Sequence, residues 1–388
     1  MIKYIEQLLQ GQPPVEWKPL GEVAEIQKGK QLNKTELTEV GRYPVYNGGV
    51  SYSGFTDTYN YPANTIIISQ GGASAGYVNF VETKFYASAH CYVVLPDEEV
   101  LIRRFAYHYL KMKQGELMRR QTGEWIPELS AKVLLALLIP IPPLSVQAEI
   151  VRILDSFTSL TAELEAELEA RLVQYAHYLG QLFALFRKGA ETFGGGAFQW
   201  MTLGKVCSNV HSGVTSLKSK PQYDTGSIPW VRPQEIDWKE IYSTTMRITE
   251  EAVKDSSAKL IPVNSILIAL GGDAVAKACI NKVPVAISWS CCSLEVDEHI
   301  ASYRYVYYWL RKEYEHLRAL GKGRLAHLSL KEIKGYPIPI PSLEEQMRIV
   351  HVLDEFEVLI NSLTEGLPRE IELRRQQYVY YRDHLLAF

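Results

Sequence analysis

Five cysteines in 388 residues, scattered except for the adjacent Cys291 and Cys292, are too few and too irregular for a disulfide framework. They predict reduced thiols and a cytoplasmic location. Cys207 and His211 stand four apart, but no second pair completes a zinc site, so both read as structural. No stretch reaches the run of about 18 apolar residues that a membrane span needs. The longest, Val133 to Pro143, is short and carries prolines. The start, Met1-Ile2-Lys3-Tyr4-Ile5-Glu6, lacks the form of a signal peptide. Surplus positive charge is missing too. A net charge of −3 argues against a protein that binds nucleic acid tightly on its own.

Catalytic constellations are also lacking. Gly71-Gly72-Ala73-Ser74-Ala75-Gly76 and Gly271-Gly272-Asp273 follow apolar runs as phosphate loops do, but no Gly-Lys-Ser/Thr comes after them. They read as tight turns after buried strands. Glu332-Ile333-Lys334 has no suitable aspartate ahead of it to form a nuclease motif. The helical stretches hold no Glu-x-x-His pair. No residue is assigned to catalysis or to a metal.

What is present is a long repeat. Ile139 to Phe157 reads I-P-I-P-P-L-S-V-Q-A-E-I-V-R-I-L-D-S-F, and Ile338 to Phe356 reads I-P-I-P-S-L-E-E-Q-M-R-I-V-H-V-L-D-E-F, at a constant offset (338 − 139 = 199). Such self-similarity decides the fold reading. In each copy the prolines force an extended run, and a helix follows. Ile150, Leu154, Phe157, Leu164, Leu168, Tyr175 and Leu182 fall on a 3-4 seam in the first copy. Ile349, Leu353, Phe356, Leu363, Ile371, Tyr378 and Leu385 do so in the second. Glu163, Glu165, Glu167 and Glu169 fill the outer faces. Two long antiparallel helices forming a coiled coil are expected, with a kink or break near Gly366 and Pro368.

The repeats frame two globular units. Residues 1–14 read as a helix end that completes the helical region: Tyr4-Ile5-Glu6-Gln7-Leu8-Leu9 matches the helix tails at Tyr178 and Tyr381. Residues 15–142 form the first unit and 143–193 the first helical region. Residues 194–341 form the second unit, entered through Gly194-Gly195-Gly196, and 342–388 the second helical region. Strands are predicted at Tyr43–Tyr46, Thr65–Ile68 and Tyr92–Leu95, and a helix from Val100 to Arg120. Trp17-Lys18-Pro19-Leu20-Gly21 returns as Trp200-Met201-Thr202-Leu203-Gly204, and Ile68-Ser69-Gln70-Gly71-Gly72 as Ile268-Ala269-Leu270-Gly271-Gly272. The fold class is α/β in the α+β sense: two similar units, two long helices, and a cyclic, pseudo-twofold order. One frame with different loops presents two different binding faces.

Basic, amide and aromatic residues mark those loops. In the first unit they are Lys28, Lys30, Lys34, Arg42, Tyr43, Tyr46, Asn47, Arg119, Arg120, Gln121 and Trp125. In the second they are Lys218, Lys220, Trp230, Arg232, Gln234, Arg311, Arg318, Lys322, Arg324 and His327. Such side chains hold phosphates and read base edges, and the clusters recur at matching places.

At this point the chain resembles the specificity subunits of type I DNA restriction-modification enzymes. The resemblance rests on the Ile-Pro-Ile-Pro…Gln…Leu-Asp-x-Phe pattern, on Thr161-Ala162-Glu163-Leu164, on Leu367-Pro368-Arg369-Glu370 and on Tyr380-Tyr381-Arg382-Asp383. It implies two target-recognition domains, each reading half of a split double-stranded DNA site. It also implies that the helices hold two modification subunits, and through them a restriction subunit. The chain itself would carry no cofactor: S-adenosylmethionine would sit on the modification subunits, with ATP and magnesium on the restriction subunit. A helix from Ser145 to Arg187 would span about 60–65 Å, against about 34 Å for a DNA turn. The alternative is a coiled-coil interaction scaffold, such as an inactive paralogue, that reads no DNA.

Overall fold

The prolines of the two Ile-Pro-Ile-Pro runs settle the first pairing in each half of the chain. Proline cannot donate to a ladder, so each run lies in a two-stranded ribbon where half its edge needs no partner. Leu138–Ile141 pairs antiparallel with Glu16–Pro19, Trp17 opposite Pro140. Pro337–Ile340 pairs likewise with Gln199–Thr202, Trp200 opposite Pro339. The computed structural model describes residues 1–123, 127–184, 186, 192–193, 196–213, 226–254, 258–321, 327–361 and 366–388. The chain forms two compact units, one of Met1–Ala166 with Arg369–Phe388, the other of Glu167–Pro368. Each unit takes part of both helical stretches.

In the first unit an antiparallel sheet runs in the order Ala24–Lys28, Cys91–Pro96, Thr65–Ser69, Val78–Val81. All five residues of Thr65–Ser69 are buried, because both faces of the sheet are covered. The period-2 alternation of a strand sorts them. Ile66, Ile68, Tyr92 and Val94 join Phe105, Tyr109 and Leu110 of the helix Arg103–Arg119. Ile67, Val81 and Val93 turn the other way and pack with Phe85 beside Tyr46. A smaller sheet of Gly54–Thr56, Tyr43–Tyr46 and Tyr86–Ala87 accompanies this second face.

The second unit is built alike. Its sheet runs Cys207–Ser212, Cys291–Val296, Ile266–Ala269, Ala278–Asn281, with Glu240–Ile241 added in parallel as a fifth strand. Arg247–Ile248, Ile228–Val231 and Ala286–Ile287 form the smaller sheet. The central register is shared: Ile68 faces Tyr92 as Ile268 faces Cys292. Asn64 and Asn264, one residue before the central strands or their buried start, have φ of 58° and 62°, a left-handed turn that asparagine tolerates better than most residues.

The helix Leu144–Ala184 has 41 residues. In the second repeat Leu343–Asn361 is helical, Gly366 is a bend, and a new helix runs Leu367–Leu385 with Pro368 in its first turn. The interruption thus falls at the expected glycine. Seam residue Leu363 lies outside the described residues. The other seam positions are buried or half-buried. In the first unit Phe157 stacks on Tyr381 (5.2 Å between centroids, 14°) and Arg375 pairs with Glu165 at 2.6 Å. In the second unit Phe356 packs against Tyr175 and Tyr178 (6.3 and 5.4 Å). The short helix Ile2–Leu9 buries Ile5 in the same core cluster as Leu385 and Leu386. All five cysteines are free thiols. Among the described residues, no helix is long and apolar enough to cross a membrane, and no group of three His, Cys, Asp or Glu could hold a metal ion.

Candidate nucleic-acid interface

The repeated glutamine and aspartate of the helix signature are structural clamps. Gln147 Nε2 donates to the carbonyls of Pro142 (2.8 Å) and Val100 (2.9 Å), and its Oε1 accepts from Ile102 N–H (2.8 Å). Gln346 does the same with Pro341 (3.0 Å), Ile300 (3.2 Å) and Ser302 N–H (2.9 Å). Both amides are fully buried, so each bond satisfies a group that would otherwise be orphaned. Eight residues on, Asp155 accepts from Arg104 Nε and His108 Nε2, both at 2.8 Å. Asp354 accepts from Arg304 Nε (2.7 Å) and Tyr308 OH (2.5 Å).

The two clamps differ in charge. His108 is fully buried; Tyr378 OH lies 3.0 Å from its Nδ1. Burial lowers its pKa, although Asp155 opposes the shift. Burial alone would raise Asp155, but the hydrogen bonds from His108 and Arg104 leave it below its ordinary value. A neutral imidazole fits: it donates through Nε2 and accepts at Nδ1 from Tyr378. In the second unit Arg304 also pairs with Glu240 (2.8 Å) and Glu357 (3.4 Å), and Arg311 pairs with Glu357 at 2.5 Å. Burial raises the Glu357 pKa despite Arg311. Arg311 is therefore no loop residue. It lies in the helix Tyr303–Lys312, with its guanidinium 4.7 Å from the Tyr175 ring centroid.

The Asp155 clamp occupies the end of the first unit's sheet marked by Asn64 and Glu82, which bond Arg103 and Arg104. The loops gather at the other end, where Lys28 pairs with Tyr92 and Ser69 with Cys91. Backbone hydrogen bonds tie them together. Gly29 N–H donates to Cys91 O, Lys30 N–H to Ala87 O, Ser88 N–H to Tyr46 O, Gln70 N–H to His90 O and Leu129 N–H to Gln70 O, all within 3.0 Å. Gly29 has no room for a side chain, since a Cβ would lie 2.2 Å from Ser88 O. Burial raises the Cys91 thiol to about 11, and the thiol donates to Tyr46 O. The platform is rigid, and Lys28, Lys30, Asn47 and His90 stand exposed on it.

The second unit repeats the platform with other side chains. Gly213 N–H donates to Cys291 O, Ser288 N–H to Val231 O, Leu270 N–H to Ser290 O and Leu328 N–H to Leu270 O, again within 3.0 Å. Gly213 is as crowded as Gly29, with 2.1 Å from a Cβ to Ser288 O. Arg232 and Gln234 follow the strand Ile228–Val231 at this same end. Arg232 is half-buried and donates to Thr245 Oγ1 (2.9 Å), while Gln234 is exposed.

The candidate residues are thus divided. Lys28, Lys30, Asn47, Arg232 and Gln234 come together on their platforms. Arg119 and Arg120 end the helix Arg103–Arg119, where they bond Gly115 O and Glu116, and Gln121 Nε2 donates to Ala75 O in the glycine turn. Tyr46 turns its ring edge-on to Phe85 at 5.7 Å, a core contact. Arg42 lies just before the strand Tyr43–Tyr46, at its far end, over Tyr43 (5.5 Å). Arg318 is exposed on Tyr314–Ala319. Trp230 is only 5% exposed and belongs to the core. Lys34 sits in the short turn Lys34–Glu36, its side chain outside the described residues. Trp125, Lys218, Lys220, Lys322 and Arg324 also lie outside them. Sequence reading passed over the turns Ser88-Ala89-His90 and Ser288-Trp289-Ser290. Their signal was the 200-residue alignment of two serine-to-cysteine turns (288 − 88 = 200).

Comparison with known proteins gives a consistent picture. The pattern of the family described as type I restriction modification DNA specificity domain matches residues 14–174 and again 197–373. The type I restriction enzyme EcoR124I/EcoR124II specificity subunit of Escherichia coli is 37% identical, over 100% of this chain and 97% of that protein. A putative type I restriction enzyme specificity subunit of Haemophilus influenzae is 32% identical, over 99% and 98%. The crystal structure of a type I restriction-modification S subunit from M. genitalium shares the fold, with a TM-score of 0.63, 22% identity and coverage of 97% and 98%.

Proposed function

The chain belongs to the type I restriction-modification DNA specificity family, and from that premise we infer that it reads a split DNA sequence, one half-site with each of its two platforms. It is a specificity subunit and not an enzyme. The observation that carries the reading is the repetition of one rigid loop platform with different exposed side chains: Lys28, Lys30, Asn47 and His90 in one unit, Gln234 and Trp289 in the other. A shared frame with exchanged side chains is what two different half-sites require.

The two long helices serve as an antiparallel coiled-coil spacer between residues 15–142 and 194–341. The Phe157–Tyr381 stack and the Arg375–Glu165 pair support this part of the reading. Leu172, Val173, Met347, Val358, Val379 and Tyr380 remain exposed on the helices. Apolar surface of this kind suits partner subunits, here two adenine-modifying subunits with S-adenosylmethionine and, through them, an ATP- and magnesium-dependent restriction subunit, all in the cytoplasm. Partner subunits would also supply much of the phosphate contact, which suits a chain of net charge −3.

Replacing residues 15–142 with the corresponding segment of a relative tests the reading. The expected outcome is a target altered in one half-site only. A change in both halves, or in neither, would overturn it.

A further inference from the structure

The turn Ser288–Ser290 is held from several sides. Ser288 N–H donates to Val231 O (3.0 Å), Cys291 N–H to Ser288 O (2.9 Å) and Leu270 N–H to Ser290 O (2.7 Å). Gly213 closes on it from a further strand. On this fixed backbone Trp289 stands 50% exposed. Its indole lies parallel to the exposed imidazole of His327, with centroids 6.3 Å apart and planes 12° apart. A large ring held in water by a rigid turn contributes little to folding. It is, however, the kind of low-entropy anchor on which recognition energy concentrates.

Building on the reading of the second unit as a DNA reader, we propose that Trp289, backed by His327, is a specificity-determining residue that packs on the C5-methyl of a thymine in that unit's half-site. Chemistry selects the partner group. The indole has one polar atom, an N–H donor, and is otherwise apolar. Among the groups that base pairs display in the major groove, the thymine methyl is the apolar one. The equivalent turn of the first unit has Ala89 and His90 at the same register. That unit therefore recognises its half-site through a different group, as two unlike half-sites need.

The test uses the full chain assembled with its modification subunits. A randomised duplex library is first used to select the bipartite consensus of the wild type and of Trp289→Ala. Each thymine of the second half-site is then replaced singly by deoxyuridine, which removes only the methyl. The wild type should lose about 3- to 10-fold in affinity at one such position. Trp289→Ala should bind the thymine duplex that much more weakly and should not distinguish thymine from deoxyuridine there. Its first half-site and its melting temperature should stay unchanged. Equal affinity and equal deoxyuridine response in the two proteins would overturn the proposal, as would a uniform loss on all duplexes. If the wild-type complex selects no sequence at all, the reading of the chain as a DNA reader fails as well.

Discussion

Two side chains at one position show how the repeated frame diverges residue by residue. His108 and Tyr308 both bond the aspartate of the helix signature, but only the histidine is a side chain whose ordinary pKa lies near neutrality. Because the fold lowers its pKa below the ordinary 6.5, the unfolded chain takes up the proton first as pH falls. Stability is then level above about 6.5 and is lost below it. Asp155, lowered below its ordinary 3.8, adds stability that is present above that value and fades only in stronger acid. Thermal melts between pH 7.5 and about 5 should show the first unit's transition falling for the wild type, and His108→Gln should flatten that slope. Identical slopes in the two proteins would contradict the assignment. The sequence marked Gln147 and Asp155 as signature residues without showing their purpose. Their partners Val100, Ile102, Arg104 and His108 lie 45 to 51 residues away, and pattern alone cannot supply such long-range hydrogen bonds. The same limit misplaced Arg311: a cation in a basic cluster reads as solvent-facing until Glu357 and Tyr175 are seen around it.

At the scale of elements, periodicity was the reliable guide. The strands at Tyr43, Thr65 and Tyr92 and the helix beginning near Val100 were legible because apolar spacing follows burial. Gly366 was legible as a break because glycine and proline punctuate helices. Alternation along Ile66-Ile67-Ile68 does not announce that both faces are covered, so the smaller sheet with its parallel strand went unread. The loops were legible only as a collection of residue types. Which of them share an end of the sheet depends on strand order, and strand order brought Lys28 and Asn47 together while leaving Arg42 apart. The helix Leu144–Ala184 gives an element-scale prediction. Four residues inserted after Glu165 add about 6 Å of helix, so the unread gap in the DNA target should lengthen by one or two base pairs. Methylation mapping of the insertion variant would measure it, and an unchanged gap would refute the spacer role.

At the scale of the molecule, the sequence repeat, the two family matches and the two platforms concern the same duplication. A chain with a modest negative charge can act on DNA if it contributes selectivity while its partners contribute most of the phosphate contact. Its two platforms then need only a few exposed side chains each, set on backbones too constrained to drift. On the function proposed above, this one chain reads a bipartite target. The most direct measurement is single-molecule sequencing of modified adenines in cells that express the chain with its modification subunits. The expected result is one motif with a fixed unread gap and a modified adenine in each half. An undivided motif, or unmodified DNA from cells in which the complex is assembled, would contradict it.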